Sequence, residues 1–232
     1  MRKIIGQAAL VAVPLVAVLG MTLFGGRRWD IAAVLTAFLC CVPFFLSFER
    51  RKPAAREVVL IAVMTAFSVA GRVIFAAIPF FKPVTAIVVM AAMYFGPQAG
   101  FMTGAMSALI SNIWFGQGAW TPFQMFCWGF IGWLAGMLNR KALLEKPLML
   151  CIYGAIAGVL YSLVMDMWTV LSADGAFTVA RWLQVLITSL PMTAVYCASN
   201  VVFLLVLRKP LGRKLSRLKT KYGVFCEDEY EN

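Results

Sequence analysis

The chain reads Gly96-Pro97-Gln98-Ala99-Gly100, then an apolar run, then Ser111-Asn112-Ile113-Trp114-Phe115-Gly116-Gln117-Gly118-Ala119-Trp120-Thr121-Pro122-Phe123-Gln124, then a second apolar run to Leu138. Two hydrophobic segments therefore flank a short loop that holds glycines, amides and aromatics but no charge. Gly96, Gly100, Gly104 and Ala108 recur every four residues, and Gly132 and Gly136 repeat the device in the second run. On a helix that spacing lines small residues along one face, where a neighbouring backbone can approach closely. The stretch predicts two tightly packed membrane helices joined by a turn that is rich in ligand-binding side chains.

Outward from this stretch, composition sets the class. Of 232 residues 62% are hydrophobic and 13% charged, with mean hydropathy +0.85; a soluble globule does not have this balance. Apolar runs near residues 4–24, 31–48, 58–79, 84–95, 99–114, 121–138, 148–168 and 182–207 give roughly eight membrane segments, each near the ~20 residues a span needs. The run at 84–95 is short and is expected to draw on its flanks or to lie at an angle. The expected fold class is an all-α polytopic membrane protein. Met1-Arg2-Lys3 before an apolar run has the look of a secretory signal. No Ala-x-Ala-like site follows, however, and Arg27-Arg28 close the segment, so a retained helix is expected.

Several function classes drop out. The chain has no histidine, the commonest metal ligand and general base. Its six cysteines (Cys40, Cys41, Cys127, Cys151, Cys197, Cys226) form no C-x-x-C pair, so no metal site is expected. There is no phosphate-binding G-x-x-x-x-G-K-[ST] loop and no serine with a histidine partner. The chain reads as no enzyme, and any ATP hydrolysis would reside in partner chains.

The net charge of +11 does not imply nucleic acid, because the basic residues fall in loops. Clusters at residues 1–3, 49–56, 140–146 and 208–221 share one side if both termini are cytoplasmic, as the positive-inside rule requires. Arg27-Arg28 is the exception. Arg72, Lys82, the 112–124 loop and the 166–181 loop then share the external side. A cavity opening outward is expected there, lined by Arg72, Lys82, Asn112, Phe115, Gln117, Trp120, Thr121, Gln124, Tyr161, Asp166, Trp168 and Arg181. Ligand sites are mostly apolar, with a few polar groups that fix orientation.

Individual residues leave alternatives open. Arg72 either snorkels to the interface or contacts ligand, and Lys82, beside Pro79 and Pro83, reads as an interfacial anchor or a cavity residue. The loop aromatics suit an interface belt, while the Gly116-Gln117-Gly118 tip suits a cap over a ligand. Asp166 is expected to pair with Arg72 or Arg181, or to accept ligand donors. Ala62, Ala66 and Ala70 form a stripe for close packing within the chain or for a partner helix. Residues 1–52 read as an appendage of two helices, 53–210 as the core, and 211–232 as a solvated charged tail whose basic part suits anionic lipid.

From Arg56 onward the chain resembles the substrate-binding membrane subunit (S component) of an energy-coupling factor (ECF) vitamin transporter. The resemblance rests on Ala70-Gly71-Arg72, Lys82-Pro83-Val84-Thr85-Ala86-Ile87, Phe95-Gly96-Pro97-Gln98-Ala99-Gly100-Phe101 and the loop from Ser111 to Met125, and covers about three-quarters of the chain. It implies a six-helix core preceded by two additional transmembrane helices, in the cell membrane. It also implies a vitamin captured near the extracellular face, with no intrinsic cofactor. The implied partners are a transmembrane scaffold (T component), met through Ala62 and Ala66 with Ala70 extending the stripe, and two ABC ATPases. Release inward would follow toppling of the whole subunit. The loop pattern is most similar to members assigned to cobalamin. A flavin, a thiamine-related compound, folate or a deazapurine are the alternatives, as is a membrane scaffold without ligand. Without histidine, no imidazole from this chain would ligate a corrinoid cobalt, so binding would rest on shape, stacking and hydrogen bonds.

Overall fold

The computed structural model describes residues 29–50, 53–175 and 177–225. The expected first span at 4–24 and the acidic end at 226–232 lie outside the described residues. Among the described residues the chain is all helical: α1 (Trp29–Arg50), α2 (Ala55–Ile74), α3 (Val84–Phe95), α4 (Pro97–Phe115), α5 (Thr121–Asn139), α6 (Pro147–Asp174) and α7 (Val179–Tyr222), with a 3-10 turn at Leu143–Glu145. Proline stands in the first turn of α4, α5 and α6, where its missing N–H costs no hydrogen bond. Of these helices α2, α6 and α7 are long and apolar enough to cross a bilayer.

Helix α3 sits at the centre. Its 12 residues reach only ~18 Å at 1.5 Å per residue, short of the ~30 Å hydrocarbon layer. It does not borrow residues from its flanks. Pro83 precedes it, and Gly96, at φ 90°, turns the chain directly into α4. Every residue from Val84 to Ala92 is buried, and a helix that is apolar all round belongs in a core.

The glycine ladders of α4 and α5 face each other. A Cβ on Gly100 would lie 2.7 Å from the Gly132 carbonyl oxygen, one on Gly136 would lie 2.6 Å from Cα of Pro97, and one on Gly104 would strike the Trp128 carbonyl. Gly96 also lies on this seam, with its carbonyl carbon 2.9 Å from the position of a Gly136 Cβ. Helix α1 lies on the outside of this pair, with Phe44 stacked on Phe101 at 3.9 Å and edge-on to Trp133.

One feature differs from the sequence reading and a second narrows its alternatives. Helix α7 runs 44 residues through Pro191 and Pro210, and its end is packed. Leu215, Val224 and Phe225 are buried, Phe225 stacks on Phe95, and the Phe225 N–H donates to the buried Glu57 carboxylate at 2.7 Å. Arg56 adds a hydrogen bond to the Tyr222 carbonyl at 2.9 Å. Residues 211–225 thus belong to the folded body, with apolar positions on one face and exposed Arg213, Lys214 and Arg217 on the other. Second, Ala62, Ala66 and Ala70 all face outward beside exposed Val59, Val63 and Phe67. The stripe therefore does no packing within the described chain.

Candidate ligand cavity

At the end of the bundle where α2 stops and α5 starts, a partly open cavity of about 220 Å³ lies between α2, α3, α5, α6 and α7. Its polar groups are Arg72, Lys82, Thr85, Gln124, Tyr161, Tyr196 and Asn200, and its apolar walls are Phe80, Val84 and Trp128.

Each polar group is held in place by the fold. Arg72, in the last turn of α2, donates from Nη1 to the Asn112 side-chain carbonyl at 2.8 Å and to the Ser111 hydroxyl. Its guanidinium lies over the rings of Phe115 at 4.6 Å and Trp128 at 5.1 Å, contacts worth ~0.5–2 kcal/mol each. An arginine held in this way does not snorkel to the interface. Asn112, fully buried, passes the chain of bonds on: its amide donates to Thr121 at 3.0 Å and to the Gln124 carbonyl at 2.8 Å. The Gln124 amide donates in turn to the Tyr161 hydroxyl at 3.0 Å. One directional relay therefore links α2, α4, α5 and α6. Trp128 stacks on Tyr161 at 5.3 Å, and Tyr196 meets Tyr161 edge-on at 5.0 Å.

Lys82 closes the loop between α2 and α3. Its backbone N–H donates to Ser199 at 2.9 Å, and the Ser199 hydroxyl donates back to the Lys82 carbonyl at 3.0 Å. The ammonium donates to the carbonyls of Ile78, at 2.7 Å, and Phe75. Burial first, and then the Arg72 charge, hold its pKa below the ordinary lysine value.

Of the residues expected from sequence, Arg72, Lys82, Gln124 and Tyr161 line this cavity. Asn112 and Phe115 contact those groups from behind, Thr121 supports Asn112 by accepting its amide, and Gln117 braces Thr121 by accepting its hydroxyl at 2.9 Å while donating to the Leu109 carbonyl at 2.8 Å. Trp120 is exposed at the start of α5, and Trp168 packs on Phe123 at 5.1 Å, so neither lines the cavity. The expected pairing of Asp166 does not form. Buried Asp166 accepts from Ser189 at 2.6 Å and Ser162 at 3.3 Å, Arg72 is taken by the relay, and Arg181 pairs with Asp174 at 3.1 Å on the surface. Two serine hydroxyls supply the donors expected of an arginine. The reading missed Phe80, Val84, Thr85, Trp128, Tyr196 and Asn200. Helical spacing was the available signal, since Trp128 stands one turn beyond Gln124 and Asn200 one turn beyond Tyr196.

Among the described residues no cluster of acids and cysteines could hold a metal ion. No curated protein and no solved structure gives a match to the chain. A family model described as "ECF-type riboflavin transporter, S component" matches residues 52–217, which include α2 to α6 and most of α7 and every residue that lines the cavity. The chain is accordingly a member of the ECF S-component family and a substrate-binding membrane subunit of an ECF importer.

Proposed function

We propose that this subunit captures riboflavin or a close flavin derivative at the outer membrane face and delivers it inward with a T component and two ABC ATPases. The observation that carries this reading is the shape and lining of the cavity: Trp128, Tyr161, Tyr196 and Phe80 give flat aromatic walls, and Gln124 and Asn200 bring amides to the same space. At about 220 Å³ it falls below the ~300–1,000 Å³ of most ligand pockets. One planar ring system fits, with its tail left to the open side, whereas a corrinoid is several times larger. Size and the family description together favour a flavin over the cobalamin expected from the loop pattern.

Orientation follows from charge. Arg140, Lys141 and Lys146 follow the end of α5 remote from Gln124, and Arg208 of α7 joins them there through a hydrogen bond to the Glu145 carbonyl; under the positive-inside rule this supports a cavity that opens outward and a cytoplasmic basic end of α7. The outward stripe of Ala62, Ala66 and Ala70 is the face offered to the T component, since small residues let helix backbones approach in lipid.

The test is native mass spectrometry with an absorbance spectrum on protein purified in detergent from cells grown in rich medium. A bound flavin mass with flavin absorption is the expected result. A corrinoid mass would restore cobalamin, and protein that stays empty across a vitamin panel would support a ligand-free scaffold. Separately, replacing Ala62 and Ala66 by leucine is expected to abolish co-purification with the T component.

A further inference from the structure

The cavity holds two cations and, among the described residues, no carboxylate that answers them. Arg72 spends Nη1 on Ser111 and Asn112 and lies over two rings, and among the described residues its other N–H groups have no hydrogen-bond partner. Lys82 gives two protons to the carbonyls of Phe75 and Ile78 and keeps a third. The nearby acids do not pair with either cation: Asp166 lies outside the cavity lining, held by Ser162 and Ser189 with its charge felt at Tyr196, and Asp174 pairs with Arg181. The remaining polar groups, Thr85, Gln124, Tyr161, Tyr196 and Asn200, are neutral.

Like charges at the edge of a membrane interior repel at low dielectric and lose hydration. A site that tolerates this without a counter-charge of its own gains most from a ligand that brings one. Arg72 is suited to such a group, because a guanidinium meets phosphate or carboxylate oxygens with two parallel N–H donors. The pKa of Lys82 is lowered first by burial and then by the Arg72 charge, which agrees with two cations at one cavity.

We infer that the cavity takes its ligand as an anion whose charged group binds Arg72 and Lys82. Resting on the flavin reading above, this makes a flavin phosphate monoester a better ligand than neutral riboflavin. Phosphate and carboxylate share the chemistry, and the experiment separates them.

The full chain, stripped of ligand and placed in nanodiscs, is titrated with riboflavin, riboflavin 5′-phosphate and folate at low and high salt. The phosphate ester is expected to bind about ten-fold more tightly than riboflavin at low salt, with the ratio shrinking as salt is added. Lys82→Gln is expected to lower that ratio several-fold, and Arg72→Gln more so, with Arg72→Lys between Arg72→Gln and the parent. Lys82 lies on a loop and carries the test if an Arg72 variant does not fold. Equal binding of the two flavins, with a ratio insensitive to Lys82→Gln, would overturn the inference and leave the flavin reading standing. Folate binding that falls in Lys82→Gln while neither flavin binds would sink the flavin reading and keep the anion.

Discussion

Helices α4 and α5 meet in two different ways along their length. Near Gly96 and Gly136 their backbones touch, with glycine against glycine and no room for a methyl group at Gly100, Gly104 or Gly132. Near Asn112 and Thr121 they part, and the gap is filled by an amide, a hydroxyl and a second amide in hydrogen-bond contact. One half fixes where the helices are, and the other uses that fixed position to hold polar groups at a cavity. Buried polar contacts tolerate little misplacement, so a close glycine seam a few turns away is a means of preorganising them.

The largest effect is expected where the seam is tightest. In Gly132→Ala the new methyl would lie 2.6 Å from the Gly100 carbonyl carbon and 2.7 Å from a Val88 methyl. Backbone cannot swing aside as a side-chain end can, so a loss of roughly 3 kcal/mol is expected, read as a lower melting temperature in detergent together with lost ligand retention. Gly104→Ala should behave alike. Unchanged melting in both would mean that the helices are not held by close approach.

Asn112→Ala tests the open half. It removes the partner of Arg72 and of the Gln124 carbonyl at a position with no solvent access. Leaving buried groups unpaired costs roughly 2 kcal/mol, and ligand affinity should fall about ten-fold as Arg72 loses its hold. Equal damage to stability from Asn112→Ala and Gly132→Ala, with no separate loss of affinity in the first, would erase the distinction between the two halves.

The glycine seam was legible because a four-residue spacing of small residues has one geometric meaning on a helix. Arg72, Lys82 and Gln124 were legible because polar groups stand out in apolar sequence. Trp128, Tyr196 and Phe80 were not: an aromatic residue in a membrane segment looks the same in sequence whether it faces lipid, core or cavity. Asp166 failed for a related reason. Charge complementarity named arginines as its partners, while the donors are Ser162, one turn back on the same helix, and Ser189 on the next, neither with any compositional mark. At the end of α7 the helical spacing of Leu211, Leu215 and Leu218 was visible, but the dense basic residues around them suggested a solvated tail.

Beyond the open half the chain continues into the 116–120 turn. Gly116 has φ 98° and ψ 128° with nothing within 4 Å of a Cβ built on it. Gly116→Ala therefore suffers no collision and only backbone strain, roughly 1–2 kcal/mol, less than Gly132→Ala despite the same added methyl. A melting series on the two variants separates conformational strain from close approach.

The smallest effect belongs to Arg181→Ala, and it asks whether any cation at this end of the molecule serves the site. Arg181 and Asp174 form an exposed pair, with side chains 51% and 38% accessible, and such pairs contribute ~0–1 kcal/mol. Arg181 touches none of the relay residues. Its other hydrogen bond, to Gln184 at 3.3 Å, stays within the first turns of α7. Melting temperature and ligand affinity should both stay near the parent values, while removal of Arg72 or Lys82 changes affinity. If Arg181→Ala weakened ligand binding as much as Lys82→Gln, the general positive potential of the rim would explain capture as well as the cavity does. A null result assigns recognition to the two cations that the α4–α5 relay and the α2–α3 loop hold in place.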